Sequence, residues 1–216
     1  VFGASTFALN LNADNNAILH GLVEFESIQL TPRQLCDLEL LLNGGFSPLS
    51  GFMVREDYES VINSMRLSNG EIWPIPIVLD ISKKLSEKFK IGQTLCLRDM
   101  EYYPIALLKI DDKWVPNKKL EAEKIFGTTD LSHPGVSYLF QQTKEVYVGG
   151  KVECINMPRH YDFNNIRLSP LQLRTKFKDR GYNRVIAFQT RNPMHRAHQE
   201  LTFRATKEID GHLLIH

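Results

Sequence analysis

The stretch Val185-Ile186-Ala187-Phe188-Gln189-Thr190-Arg191-Asn192-Pro193-Met194-His195-Arg196-Ala197-His198 decides how the chain is read. Four apolar residues with the composition of a strand run into a loop rich in hydrogen-bond donors: Gln189, Thr190, Arg191, Asn192, His195 and His198. A helical pattern follows over about residues 193–207, then Gly211, then a second apolar run at residues 212–216. Just upstream, Ser169-Pro170 opens another helix, with Leu173 and Phe177 one turn apart, Lys176, Lys178 and Arg180 near its C-terminal end, and Gly181 to stop it. Strand, loop, helix, strand is a βαβ grammar, which predicts a parallel pair joined by a crossover helix. Asn192-Pro193 has the composition of an N-cap and a first helical residue. The free N–H groups and dipole end of such a helix form an anion site. In open α/β sheets, ligands gather beyond the C-terminal ends of the strands, where this loop lies.

The loop contains no glycine, so it is neither a Walker A loop nor a GxGxxG turn. An oxyanion would therefore be held by side chains as well as backbone. Arg191 offers a bidentate guanidinium, Gln189 and Asn192 offer amide donors, and Thr190 a hydroxyl. His195 and His198 are spaced i, i+3, so both can face a polyphosphate. Ala197, Leu201 and Ala205 are spaced to pack the helix on the sheet, with small residues allowing close approach. The histidine pair has no third ligand at motif spacing, so no metal site is expected. Each residue alone has a bland reading, as a structural histidine or an ion-pair arginine. Six such residues in one strand-to-helix loop favour the functional one.

Upstream the grammar differs. Thr31-Pro32 predicts a capped helix with Leu35, Leu38 and Leu42 on one face and Gly44 at its end. Residues 46–53 read as a turn-rich apolar loop. A second helix is expected over about residues 56–65, with Tyr58, Val61 and Ile62 inward. Strands are expected at residues 22–25, 75–80, 94–98 and 105–110, and a loop at 10–16. Short helices follow near residues 118–125 and from His133-Pro134. Residues 145–155 read as a strand interrupted at Gly149-Gly150, as a hairpin or a bulge. Residues 158–165 read as a linker. Two domains are predicted: 1–164, α+β and β-rich, and 165–216, the beginning of an α/β domain, since some fifty residues do not complete a doubly wound sheet.

Composition sets the outer bounds. The 216 residues are 43% hydrophobic and 24% charged, as in a soluble globular protein. No apolar run approaches the roughly 20 residues a membrane helix needs, so no membrane association is expected. The chain opens at Val1 without an initiator Met, which points to a trimmed N-terminus. Cys36, Cys96 and Cys154 fit neither a zinc motif nor a disulfide framework, and read as apolar thiols of a reducing, cytoplasmic setting. Net charge is +1, but residues 167–216 hold ten Lys/Arg against four Asp/Glu, a local +6 that leaves −5 for the rest. The basic part suits an anionic ligand. The acidic remainder argues against nucleic acid as a partner.

Gln189-Thr190-Arg191-Asn192-Pro193-Met194-His195-Arg196-Ala197-His198 resembles the signature of the ATP sulfurylase (sulfate adenylyltransferase) family. Residues 30–52, Gly127-Thr128-Thr129-Asp130 with His133-Pro134-Gly135-Val136, and Val148-Gly149-Gly150 resemble further stretches of it. The resemblance implies a PUA-like β-rich N-terminal domain, then the start of a Rossmann-like nucleotidyltransferase domain, in which His195 to His198 stand for the superfamily's HxxH element. It implies the reaction of ATP with sulfate to adenosine 5′-phosphosulfate and pyrophosphate, the step that activates sulfate for assimilation. Gln189 and Arg191 would hold sulfate. Thr190 and Asn192 would contact the α-phosphoryl and leaving oxygens, and His195 and His198 the β/γ side. Thr190, Arg191 and Asn192 would be the catalytic set. Mg²⁺ would arrive with ATP, and the full-length protein would be a homo-oligomer. The family's second glycine-rich segment, of Gly-Arg-Asp-His-Ala-Gly type, has no counterpart within these residues, so the 216-residue chain alone is expected to be inactive. Two alternatives are a PUA-like RNA-binding module and the sulfurylase part of a bifunctional PAPS synthetase.

Overall fold

In the computed structural model, which describes residues 25–216, the longest strand is Val146–Cys154, and four other strands pair with it. The chain divides into two compact units, one ending at Asp162 and the other running Phe163–His216. The expected loop at residues 10–16, and all but Phe25 of the expected strand at residues 22–25, lie outside the described residues.

The first unit runs β1 (Ser27–Gln29), α1 (Pro32–Asn43), β2 (Gly51–Phe52), α2 (Arg55–Ser64), β3 (Leu79–Ile81), α3 (Lys83–Ser86), β4 (Thr94–Arg98), β5 (Pro104–Lys109), β6 (Asp112–Trp114), α4 (Lys118–Phe126), α5 (Pro134–Gln141) and β7 (Val146–Cys154). The strands form one mixed sheet in the order β1-β4-β5-β7-β2, with β3 and β6 also pairing β7. Only β1 with β4 is parallel. The first half of β7 is flanked by β3 and β6, the second by β5 and β2. Strands that change partners along one central strand curl the sheet around its contents. The chain is α+β here, a curled sheet with helices against it.

The glycine pair makes that exchange of partners possible. A Cβ on Gly149 would lie 2.1 Å from the Met53 carbonyl oxygen, and one on Gly150 would lie 1.9 Å from that of Lys109. Residues 145–155 therefore contain neither hairpin nor bulge. They form one continuous strand whose middle is bare enough for backbone to approach from both sides. The strand expected at residues 75–80 is reduced to Leu79–Ile81, because Pro74 and Pro76 bring no backbone donor to the segment before it.

Local signals account for the helices. Thr31 caps α1 and forms a capping box with Gln34, with Pro32 in the first turn and Gly44 left-handed at the end (φ 82°). Its buried face is Gln34, Leu38, Leu41 and Leu42. These leucines meet Val61, Leu79, Leu95, Leu97, Ile105, Leu108 and Val148 in one hydrophobic core. Each such side chain contributes about 1.5–3 kcal/mol on burial. Two polar groups are tied into this core. The Gln34 amide donates to the Asp80 carboxylate and carbonyl, both at 2.8 Å. The Glu121 Oε2 accepts from the Tyr58 and Tyr147 hydroxyls at 2.8 and 3.2 Å. Cys96 is buried in the same region, and burial pushes its thiol pKa up, so it behaves as an apolar group.

The second unit is simpler. It runs α6 (Pro170–Asp179), β8 (Val185–Phe188), α7 (Arg196–Ile209) and β9 (His212–Ile215). Ser169 caps α6 with a capping box to Gln172. β8 and β9 pair in parallel, from Val185 opposite His212 to Phe188 opposite Ile215, and α7 makes the connection between them. Among the described residues no helix is long and apolar enough to cross a membrane.

Candidate functional site

β8 ends at Phe188, and the loop that follows is held by backbone and by its own hydroxyl. The His216 N–H donates to the Phe188 carbonyl (3.1 Å) and the Thr190 N–H to the His216 carbonyl (2.9 Å), so the parallel ladder continues past both strands. The Thr190 hydroxyl donates to the Asn192 carbonyl (2.8 Å) and accepts from the Asn192 N–H (3.2 Å). This turn corrects the expected helix start. Asn192 is not the N-cap and Pro193 not the first helical residue: α7 begins at Arg196, with His195 extended before it (φ −102°, ψ 173°). The physical reason is competition. A hydroxyl two residues upstream binds both backbone groups of Asn192, and holds it in a turn rather than in a cap.

The later start changes what the helix offers. His195 is now the cap residue, and its side chain makes no capping bond. The first-turn N–H groups of Arg196, Ala197 and His198 are therefore not satisfied by a side chain, and the positive end of the dipole opens on the imidazoles. The rings of His195 and His198 lie 3.9 Å apart between centroids at 31°. The i, i+3 spacing does bring them together. His198 also rests on Phe188, 5.5 Å between centroids, and its Nδ1 is buried without a hydrogen-bond partner. From the sequence Phe188 reads only as part of a strand. That an aromatic at a strand's last position would meet the third residue of the next helix has no signature in the spacing.

Gln189, Arg191, Asn192 and His195 are exposed, and Thr190 and His198 half-buried. The loop thus brings the two imidazoles together and ties Thr190 to Asn192, while Gln189 and Arg191 stand without a side-chain partner among the described residues. Among the described residues no group of three or more His, Cys, Asp and Glu is placed to hold a metal ion.

The expected packing face of α7 is also corrected. Ala197 is exposed and Leu201 is 58% exposed, whereas Thr202 is buried at 3%. The inward stripe is His198, Thr202, Ala205 and Ile209. Of the expected face, Ala205 does turn inward, while His198, in contact with Phe188, and Thr202 take the places expected of Ala197 and Leu201. Thr202 can occupy that stripe because its hydroxyl donates to the Gln199 carbonyl of its own helix (2.9 Å).

Comparison with known proteins adds to this geometry. Residues 8–157 match the model of the PUA-like domain, and residues 164–216 that of ATP-sulfurylase. The sulfate adenylyltransferase of Schizosaccharomyces pombe is 51% identical over 191 residues, 88% of this chain and 39% of the relative's length. That of Saccharomyces cerevisiae is 51% identical over 187 residues, 87% of this chain and 36% of the relative's length. The chain spans about two fifths of the curated relatives it matches. A solved structure described as a hexameric APS kinase from Thiobacillus denitrificans superposes with a TM-score of 0.74 at 32% identity, over 93% of this chain and 35% of that one.

Proposed function

The chain belongs to the ATP-sulfurylase family, as its matches to the PUA-like and ATP-sulfurylase domains establish, and from this premise we propose that it forms the N-terminal part of a sulfate adenylyltransferase. In this reading residues 1–164 are the PUA-like domain, and residues 165–216 open a Rossmann-like nucleotidyltransferase domain. The reaction joins sulfate to the α-phosphoryl of ATP and releases pyrophosphate. The carrying observation is the Gln189–His198 loop. It leaves the C-terminal end of a parallel strand and delivers two neighbouring imidazoles to the open first turn of a 14-residue helix, within the segment that matches ATP-sulfurylase.

The residues divide the work by chemistry. Arg191, exposed and without a side-chain partner among the described residues, can clamp sulfate through two parallel N–H bonds, with Gln189 beside it. The hydroxyl of Thr190 and the amide of Asn192 are suited to the α-phosphoryl and leaving oxygens. His195 and His198 face the β- and γ-phosphates with the dipole of α7 behind them. The buried Nδ1 of His198 has no hydrogen-bond partner among the described residues, which leaves Nε2 as the ring nitrogen able to meet an oxyanion. ATP enters as its magnesium complex, since Mg²⁺ keeps most of its waters and binds through substrate phosphates. Bringing two anions together is chiefly a task of positioning and charge stabilisation, which a ring of fixed donors performs. The full-length protein is a homo-oligomer in this reading, in keeping with the hexameric description of the solved relative. Because that relative is described as an APS kinase, a bifunctional parent that also phosphorylates the product is the second reading.

The test is sulfate-dependent pyrophosphate release by the full-length protein. Replacing Arg191 by Ala should lower it by about 10²–10³-fold, the scale for losing a preorganised charge-stabilising donor. Arg191→Lys should restore little, because a point charge lacks the planar fork. Near-wild-type turnover in either variant would remove Arg191 from the site.

A further inference from the structure

The first unit encloses a cavity of about 140 Å³ that the adenylyl-transfer reading does not use. It lies among α1, α4, α5 and the β3–β7 edge, and a cavity of this size accommodates one benzene-sized molecule. Three carboxylates line it, Asp37, Asp80 and Glu121, against one guanidinium, Arg33. Asp80 has both oxygens occupied. Asp80 accepts from the Gln34 amide on Oδ1 and from the Lys144 N–H on Oδ2, each at 2.8 Å. Asp37 is half-buried one turn along α1 from Arg33; burial raises its pKa and the charge of Arg33 acts in the opposite sense. Glu121 is the more buried of these two. It is 7% exposed, and Oε2 takes both tyrosine hydroxyls while Oε1 accepts no hydrogen bond among the described residues. Oε1 is thus the oxygen of this carboxylate still able to accept from a ligand.

The rings of Phe126, Tyr138 and Tyr147 line the cavity beside aliphatic side chains of Ile75, Val78 and Leu139. Aromatic faces around a carboxylate are the chemistry that recognises an ammonium group. The chain already places a cation of its own at the rim: the Arg33 guanidinium lies 4.3 Å from the centroid of the Tyr138 ring.

We propose that this cavity is a binding site for a small organic ammonium ion, with the cation on Oε1 of Glu121 and the apolar part against Phe126, Tyr138 and Leu139. Burial raises the Glu121 pKa, while the hydroxyls of Tyr58 and Tyr147 and the charge of nearby Lys118 act in the opposite sense.

Benzylamine, benzyl alcohol and benzoate titrated into the 216-residue chain test this, by calorimetry and by chemical-shift changes at Glu121 and Tyr138. Benzylamine should bind about tenfold or more tightly than the alcohol, the scale of one hydrogen bond to a charged group, and benzoate should not bind. Glu121→Gln should abolish the preference for the amine. Equal binding of amine and alcohol by the wild-type chain overturns the proposal whatever the variant does. So does an absence of shifts at these residues at saturating benzylamine, or a Glu121→Gln variant that keeps the preference.

Discussion

The two units spend their sequence differently. In the first, leucines, isoleucines and valines from eight elements are removed almost wholly from water, and even polar side chains such as Gln34, Asp80 and Glu121 are drawn inside. In the second, among the described residues, the one buried side chain is Thr202, while Leu171, Leu201, Phe203 and Ile215 are each more than half exposed. The residues assigned to chemistry all lie in the second. Stability and chemistry are therefore separable by substitution: changes in the first unit should be read in unfolding curves, and changes in the Gln189–His198 loop in turnover. Both tryptophans, Trp73 and Trp114, lie in the first unit, and Trp114 packs against Tyr58 and Tyr147 in its core, so tryptophan fluorescence reports on that unit alone.

The largest effect should come from Leu95→Ala. Leu95 is fully buried, and truncation in such a setting costs about 2–5 kcal/mol through lost transfer energy and the cavity left behind. Leu201→Ala, at 58% exposure, should stay within about 0.5 kcal/mol. Urea unfolding followed by tryptophan fluorescence for the first, and by the resonances of Tyr182 for the second, measures both. Comparable losses would abolish the contrast between the units.

Next comes Arg191→Ala, at about 3–4 kcal/mol of transition-state stabilisation in the full-length protein, with an unfolding midpoint unchanged from wild type. The combination matters more than the rate alone. A loss of activity accompanied by a loss of stability would make Arg191 a structural residue and dissolve the separation.

A smaller effect compares one local device in two settings. Thr31 with Gln34, and Ser169 with Gln172, form capping boxes of matching geometry: in each, a hydroxyl accepts at 3.3 Å and an amide oxygen at 2.9 Å. Gln34 is buried and also donates to Asp80, whereas Gln172 is exposed. Gln34→Ala should therefore cost about 1–3 kcal/mol, because it leaves buried acceptors unsatisfied. Gln172→Ala should cost a few tenths. Equal costs would mean that the box alone, and not its burial, sets the value.

These comparisons also mark what the sequence makes legible. Signals confined to a few neighbouring residues are readable: Thr31-Pro32 and Ser169-Pro170 start helices, and the apolar runs at residues 185–188 and 212–215 become the parallel pair. Signals that depend on distant partners are not. β1, β2 and β6 are two or three residues long, too short for any period, and they exist because β4 and β7 offer edges to pair with. The role of Gly149-Gly150 depends on Met53 and Lys109, far away in the chain. The loop shows the same division. Its donors are legible as types, and the spacing of His195 and His198 foretells their contact. The start of α7 is not, because the Thr190 hydroxyl overrides a good capping pair.

The smallest effect concerns charge in the first unit's interior. Burial raises the Glu121 pKa above its unfolded value, so the folded state holds this proton more tightly than the unfolded chain does. Its contribution is then fully present below the ordinary carboxylate range and is lost as pH rises through the folded pKa. Glu121→Gln keeps an oxygen to accept from Tyr58 and Tyr147 but cannot ionise, so the decline on that side of the pH profile should flatten in the variant. Tryptophan-detected unfolding from pH 4 to pH 8 measures it, and Tyr182 in the second unit serves as the internal control. If wild type and variant run parallel over that range, Glu121 enters the folded core already charged, and the tyrosine hydroxyls rather than burial set its state.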